Sequence, residues 1–392
     1  MKYRPLLLQC SVQHYDWGKV GAQSIIAQIT GRASEAKPFA ELWMGAHPKA
    51  PALAEWNGKL TALQHIVKSN PGEILGEKVA ARWAEIPFLF KILSIAEPLS
   101  IQLHPNKEEA QKLHARDAQN YPDQNHKPEV AIALTSIELL YGLQSAAHLK
   151  KVLTEYPEIQ SLVPSVRADH PHFSAQVFEG VLRSDPLAYE RSVLALASRL
   201  EKSPGSRKNA DTWFLRAKAT FGPQDKGLLC FYLMNLCEIP AGKAIFTGPH
   251  IPHAYLSGEI VECMANSDNV VRAGLTTKFQ DQETLFRLLD ATVHAPTLIE
   301  PQRVGSAPGR DLFELPSDEF QVERISAAGE FKFDLSSVAI AICIKGECAL
   351  KCEEGIQQLT AGSIVLFPAA LKSCIFVNTD GLLFIASVPN KA

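Results

Sequence analysis

IPAGKAIFTGPHIPHAYL, residues 239–256, and LTAGSIVLFPAALKSCIF, residues 359–376, can be laid one over the other. Allowing one gap, each gives an Ala-Gly turn, an apolar β-prone run, and a proline before another run. A repeat of this kind implies two copies of one β-barrel unit. His253 in the first copy falls opposite Lys372 in the second, so only the first copy offers an imidazole to a metal. The second is expected to be structural or to wall the site.

Working outward, Met1 to about Gln144 mixes short β-like runs with Gly and Pro punctuation and a helix or two, such as GEKVAARWAE. In PNKEEAQKLHA, Asn106 is placed to cap a helix, with Glu109 three residues on as in a capping box and Ala110 and Leu113 opening an apolar face. From about Ser145 to Gly227 the spacing becomes helical, as in PLAYERSVLALASRLEKS, where Val193, Leu196 and Leu200 share a face. After that the β pattern returns to the C-terminus, broken by a short helix near DQETLFRLLDAT. The expected fold is therefore mainly β with an α-helical insertion. Residues 1–144 and 228–300 form one discontinuous domain, 145–227 the helical insertion, and 301–392 a C-terminal β domain without a metal site.

At 392 residues the chain exceeds one ordinary core, and 46% hydrophobic with 21% charged residues is normal for a globular protein. A formal net charge of -3 gives no electrostatic case for nucleic acid, which leaves a small-molecule partner. The N-terminal MKYRPLLLQCSVQHYDWG is too quickly interrupted for a signal peptide, and no run approaches a membrane span. A cytoplasmic monomer is expected. The eight cysteines are scattered, several inside apolar stretches such as AICIKGECAL, and read as reduced core thiols.

Four segments place polar residues inside apolar β sequence: SIQLHP, NHKPEVAIAL, IPHAYLSGEIVEC and NSDNVVRAGLTTKF. Such groups need partners or a function. If QLHP is extended, Gln102 and His104 point to one face and can reach one ion. Glu129 supplies a carboxylate and His253 a second imidazole, although His250 is equally well spaced. An N2O2 set suits zinc or another divalent first-row metal better than calcium. Lys91, Lys127, Arg272 and Lys278 recur beside these segments, and a phosphorylated ligand would give them a counter-charge.

Together with QHYDWG, ELWMGAHP, PFLFKIL, PLSIQLHP, NHKPE, HAYLSG and NVVRAGLTTKF, in that order, the chain resembles the type I mannose-6-phosphate isomerases, also called phosphomannose isomerases, over Met1 to about Ala291. The resemblance implies two cupin-type (double-stranded β-helix) barrels plus a helical domain, and one zinc ion per chain held by Gln102, His104, Glu129 and His253, which favours His253 over His250. It implies interconversion of D-mannose 6-phosphate and D-fructose 6-phosphate through an enediol. It assigns Arg272, His126, Lys127, Glu262 and Asp268 to catalysis and Lys91, Ser100, Lys278, Trp17 and Tyr255 to substrate. The chain departs from the family at Thr277, where proline is usual, and at Leu103, where a smaller residue is frequent.

Overall fold

The computed structural model describes residues 3–390 except 168, 291, 293–295, 306–307 and 354. Every strand pair among these residues is antiparallel, and the strands fall mainly into an eleven-stranded and a nine-stranded sheet.

The eleven-stranded sheet runs through Leu298–Ile299, Ala244–Thr247, Glu129–Ala133, His253–Ala265, Phe88–Ile95, Glu41–Met44 and Ser11–Gln13, with four further strands branching from this path. All eight residues of Phe88–Ile95 are buried, because both faces are covered. Alternation sorts them: Phe88, Phe90 and Ile92 enter the apolar core shared with the nine-stranded sheet, while Leu89, Lys91, Leu93 and Ile95 face the other way. The same alternation in Glu129–Ala133 sends Val130 and Ile132 to the core and leaves Glu129 on the opposite face with Ala131. In His253–Ala265 it sends Val261 and Cys263 to the core and Glu262 to the opposite face. Each fully buried aliphatic or aromatic side chain contributes roughly 1.5–3 kcal/mol, which fixes the register and with it the direction of the charged residues.

His253–Ala265 serves two sets of neighbours. Its start pairs with Ile101–Leu103 and Ile137–Leu143, and its end with Glu129–Ala133 and Phe88–Ile95. The bend falls at Gly258, whose φ is +113° and where a Cβ would lie 2.5 Å from Ile137 Cγ2; a register shift opposite Glu138 and Leu139 adds to it.

The two copies of the repeat start alike. Gly242 and Gly362 have φ +85° and +89°, and the strands Ala244–Thr247 and Ile364–Phe367 follow. The next strands begin at His253 and Ser373, so the loops are of equal length and no gap is needed. Ser373, rather than Lys372, therefore stands opposite His253. In the nine-stranded sheet Ile364–Phe367 pairs with the N-terminal strand Leu6–Gln9, with Leu6 opposite Leu366.

The helical region contains Phe173–Leu182, Pro186–Lys202 and Asn209–Phe221, and Val193, Leu196 and Leu200 are buried as their spacing predicts. Its apolar core is continuous with Ile101, Leu103, Val271 and Ala273 of the sheet, so the helices are packed directly behind the strands that carry candidate site residues. Lys107–Arg116 begins where Asn106 Oδ1 accepts from the Glu109 N–H at 2.9 Å, but the Glu109 carboxylate turns to Lys112 and Arg287, so the reciprocal half of the capping box is absent. All eight cysteines are free thiols. No helix among the described residues is long and apolar enough to cross a membrane.

Candidate active site

Two rows of side chains cross the sheet. In one, Tyr141, His253, Gln102 and Arg272 are successive cross-strand partners. In the other, Trp43, Lys91, Glu262 and Ala131 are. The strand expected at QLHP ends at Leu103, and His104 lies one residue beyond it.

His104, Glu129 and His253 converge, each at most 1% exposed, with one potential ligand atom from each lying within 4.8 Å of the others. His104 Nδ1 lies 3.1 Å from the Asn269 carbonyl oxygen and His253 Nδ1 lies 2.9 Å from that of Ile251. A carbonyl only accepts, so each Nδ1 carries the hydrogen and each Nε2 presents a lone pair. Those lone pairs face a carboxylate: His104 Nε2 is 3.3 Å from Glu129 Oε2, and His253 Nε2 is 3.1 Å from Glu129 Oε1. Protonating the rings would relieve the clash, but burial, reinforced by Lys127, pushes His104 down to about 3. Both Nε2 atoms are buried without a hydrogen-bond partner, at a cost of roughly 1–3 kcal/mol each. A cation between the three removes all of these conflicts at once. The donor set of two imidazoles and a carboxylate fits zinc.

Around it, Glu129 Oε1 accepts from the Tyr255 hydroxyl at 3.1 Å, and Lys127 Nζ lies 3.0 Å from Oε2. Burial alone would raise the Glu129 carboxyl, but the Lys127 ammonium beside it holds it well below the ordinary carboxylate range. Gln102, half-buried, accepts at Oε1 from Ser100 Oγ at 3.3 Å.

A cleft of about 640 Å³ adjoins this centre, walled by Trp17, Lys91, Ser100, Gln102, Lys127, Tyr255, Glu262, Arg272 and Lys278 among others. Thr220 and Phe221, from the end of the last long helix, complete the wall. Lys91 lies 3.4 Å from Glu41 Oε2 and 3.3 Å from Glu262 Oε2, and 5.0 Å from the centre of the Trp43 ring. Burial would lower the ammonium, but Glu41 and Glu262 outweigh it and raise it further. Burial also raises the Glu262 carboxyl, against the pull of Lys91. Arg272 and Lys278 form no ion pair among the described residues; burial lowers both, and Arg272 lowers Lys278 further.

Of the residues expected in catalysis or substrate contact, two do not line this cleft. His126 Nε2 turns 2.8 Å from Glu319 Oε1, and Asp268 is engaged by Lys49 at 2.6 Å and His47 at 3.5 Å. His250 Nε2 accepts from the Asn106 N–H at 3.4 Å and is not in the triad. Sequence reasoning missed Glu41 as Lys91's second partner, although a carboxylate inside the apolar ELWM was a signal of the same kind as Lys91 inside PFLFKIL. The carbonyls of Ile251 and Asn269 left no signal, since any residue supplies one.

Residues 6–145 match the family model for the phosphomannose isomerase type I catalytic domain. The chain is 36% identical over 400 residues to the mannose-6-phosphate isomerase of Ogataea parapolymorpha, covering 93% of this chain and 92% of that protein. It is 36% identical over 370 residues to that of Homo sapiens, covering 86% and 87%. Among solved structures, a zinc-bound mannose 6-phosphate isomerase superposes with a TM-score of 0.86 at 30% identity, covering 98% of this chain and all (100%) of the other. A variant of phosphomannose isomerase from Salmonella typhimurium superposes equally well, with a TM-score of 0.86 at 30% identity and the same coverage. On these grounds the chain belongs to the type I mannose-6-phosphate isomerase family.

Proposed function

We propose that this chain interconverts D-mannose 6-phosphate and D-fructose 6-phosphate with one zinc ion held by His104, Glu129, His253 and Gln102. The observation that carries the reading is the convergence of two buried imidazole nitrogens without hydrogen-bond partners on one buried carboxylate, beside a cleft that also holds two cations with no ion pair among the described residues. When bound, zinc supplies Lewis-acid charge for a substrate oxygen without redox chemistry. The chain's own residues do the rest.

Arg272 and Lys278 receive the phosphate and its charge, with Ser100 as a neutral donor, so that binding energy from the non-reacting end orients C1 and C2. Isomerisation moves a proton between these carbons. Glu262 is the carrier favoured by its setting: it lines the cleft and its carboxyl is raised by burial toward the working range of a general acid-base. Lys91 opposes Glu262 and keeps it from becoming permanently protonated. Lys127 holds Glu129 ionised, and Trp17 and Tyr255 wall the sugar. His126 and Asp268 act at most by positioning, through Glu319 and through Lys49.

We read the repeat-bearing β regions, 1–144 with 228–300 and 301–392, as two cupin-type barrels, with 145–227 as the helical domain, and the protein as a cytoplasmic monomer. The test is a coupled assay for fructose 6-phosphate before chelation, after it, and after zinc is restored. Activity should vanish and return. Zinc bound at one per chain with no turnover would overturn the isomerase reading, and turnover untouched by chelation would overturn the role of the metal.

A further inference from the structure

The loop that carries Lys278 has an anchor that is not part of the cleft wall. Leu275 has φ +53°, the left-handed region that a residue with a Cβ occupies only when its surroundings hold it there. Its N–H donates to Asp225 Oδ1 at 2.7 Å, and the next N–H, of Thr276, donates to Asp225 Oδ2 at 3.1 Å. The Gly227 N–H also donates to Oδ1, at 2.8 Å. Thr276 Oγ1 then accepts from the Lys278 N–H at 3.1 Å, so an unbroken chain of hydrogen bonds runs from one carboxylate to the lysine.

Asp225 is itself fixed. Its carbonyl oxygen accepts from the Tyr189 hydroxyl at 2.8 Å, which ties it to the helix Pro186–Lys202. The backbones leave no slack, since a Cβ on Gly274 would lie 2.3 Å from the Gly227 nitrogen. A second tie secures the other rim: Arg216 of the helix Asn209–Phe221 reaches Glu97 and the Ala96 carbonyl, each at 2.6 Å, just before Ser100. The helical region thus grips both sides of the cleft mouth, and on the cationic side it does so through Asp225.

We infer that Asp225 is a positioning residue: it sets the conformation of residues 275–278 and thereby the site at which Lys278 and Arg272 receive phosphate. This rests on the reading of those two cations as the phosphate site. Asp225→Asn keeps one acceptor oxygen but turns an amide donor toward an N–H, releasing the loop. The KM for mannose 6-phosphate and the inhibition constant of inorganic phosphate should rise together by about tenfold, with kcat within about twofold of wild type and zinc content unchanged. Added to Lys278→Ala, Asp225→Asn should then change phosphate inhibition by less than about twofold, because both act through one group. Asp225→Glu, which keeps the carboxylate but displaces it, should fall between wild type and Asn, and it decides the matter if the Asn variant does not fold. KM and phosphate inhibition within twofold of wild type in the folded variant would overturn the inference. So would a fall in kcat and zinc content with phosphate inhibition unmoved, the mark of a merely structural residue. Failure of the underlying reading looks different: the zinc-loaded wild type would isomerise nothing, or Lys278→Ala would leave phosphate inhibition as it was.

Discussion

Replacing Lys91 by methionine keeps most of its volume and deletes the charge between Glu41 and Glu262. Lys91 is 7% exposed and sits 3.4 and 3.3 Å from the two carboxylates, so what remains is a pair of buried acids sharing one space with no other ion-pair partner among the described residues. Breaking a buried pair by removing one partner costs about 3–5 kcal/mol. The cost has a pH signature. With the ammonium gone, one carboxyl is driven to hold a proton in the folded state that it releases in the unfolded state near its ordinary value of about 4.3. A raised folded value means that the folded state binds more protons, so stability falls as pH rises above the unfolded value, by up to about 1.4 kcal/mol per pH unit for one retained proton. The wild type carries a smaller trend of this sign from Glu262, whose carboxyl is already raised. The quantity to measure is therefore the difference between variant and wild type in urea unfolding, from pH 5 to pH 7.5. It should be small at pH 5 and reach several kcal/mol at pH 7.5, and adding Glu262→Gln should recover part of it. A difference below about 1 kcal/mol, or one that does not change with pH, would refute the account of Lys91 as a buried counter-charge.

Glu129→Ala should abolish stoichiometric zinc binding and reduce kcat by about a hundredfold or more, and the rise in melting temperature that zinc gives the wild type should disappear, as read by metal analysis and calorimetry. The repeat glycines should differ: Gly362→Ala, whose Cβ would lie 1.9 Å from the Ile29 carbonyl oxygen, should cost more than about 3 kcal/mol or prevent folding, whereas Gly242→Ala meets only Arg324 at 3.4 Å and should cost about 1 kcal/mol. Asp281 caps the helix Gln282–Leu288 and also accepts from Tyr121 and Arg116, so Asp281→Ala should destabilise by about 1–2 kcal/mol in denaturant titration. Burial raises the Asp281 carboxyl, but these donors outweigh it and lower it; its contribution is thus present above the ordinary carboxylate value and should be lost as pH falls through the lowered one, so wild type and variant converge in acid.

The cluster of His104, Glu129 and His253 was legible because a buried ligand must be polar where the pattern calls for an apolar residue. Glu129 and His253 interrupt runs that are otherwise core, and both prove buried. The same logic found Lys91 and, applied to ELWM, would have found Glu41. His126 and Asp268 do not line the cleft, because the presence of a polar residue in a loop says nothing about which way its side chain turns. The repeat was legible in its glycine turns, but its register was read one residue off, since a gap in an alignment carries no physical penalty and a loop of different length does. Asp225 was invisible for another reason. Its partners are backbone N–H groups some 50 residues away, and backbone donors are the same in every sequence.

The pairing of Leu6–Gln9 with Ile364–Phe367 has a consequence for the ribosome. Leu6 leaves the exit tunnel first, yet its neighbour Leu366 is synthesised some 360 residues later, which at about 5–20 residues per second is a wait of tens of seconds. Meanwhile one edge of that strand is unpaired, and any chain cut short before Ile364 would leave it so for good. Truncated products of this protein should therefore be held by chaperones or aggregate through their N-termini, however well the metal-binding half has formed.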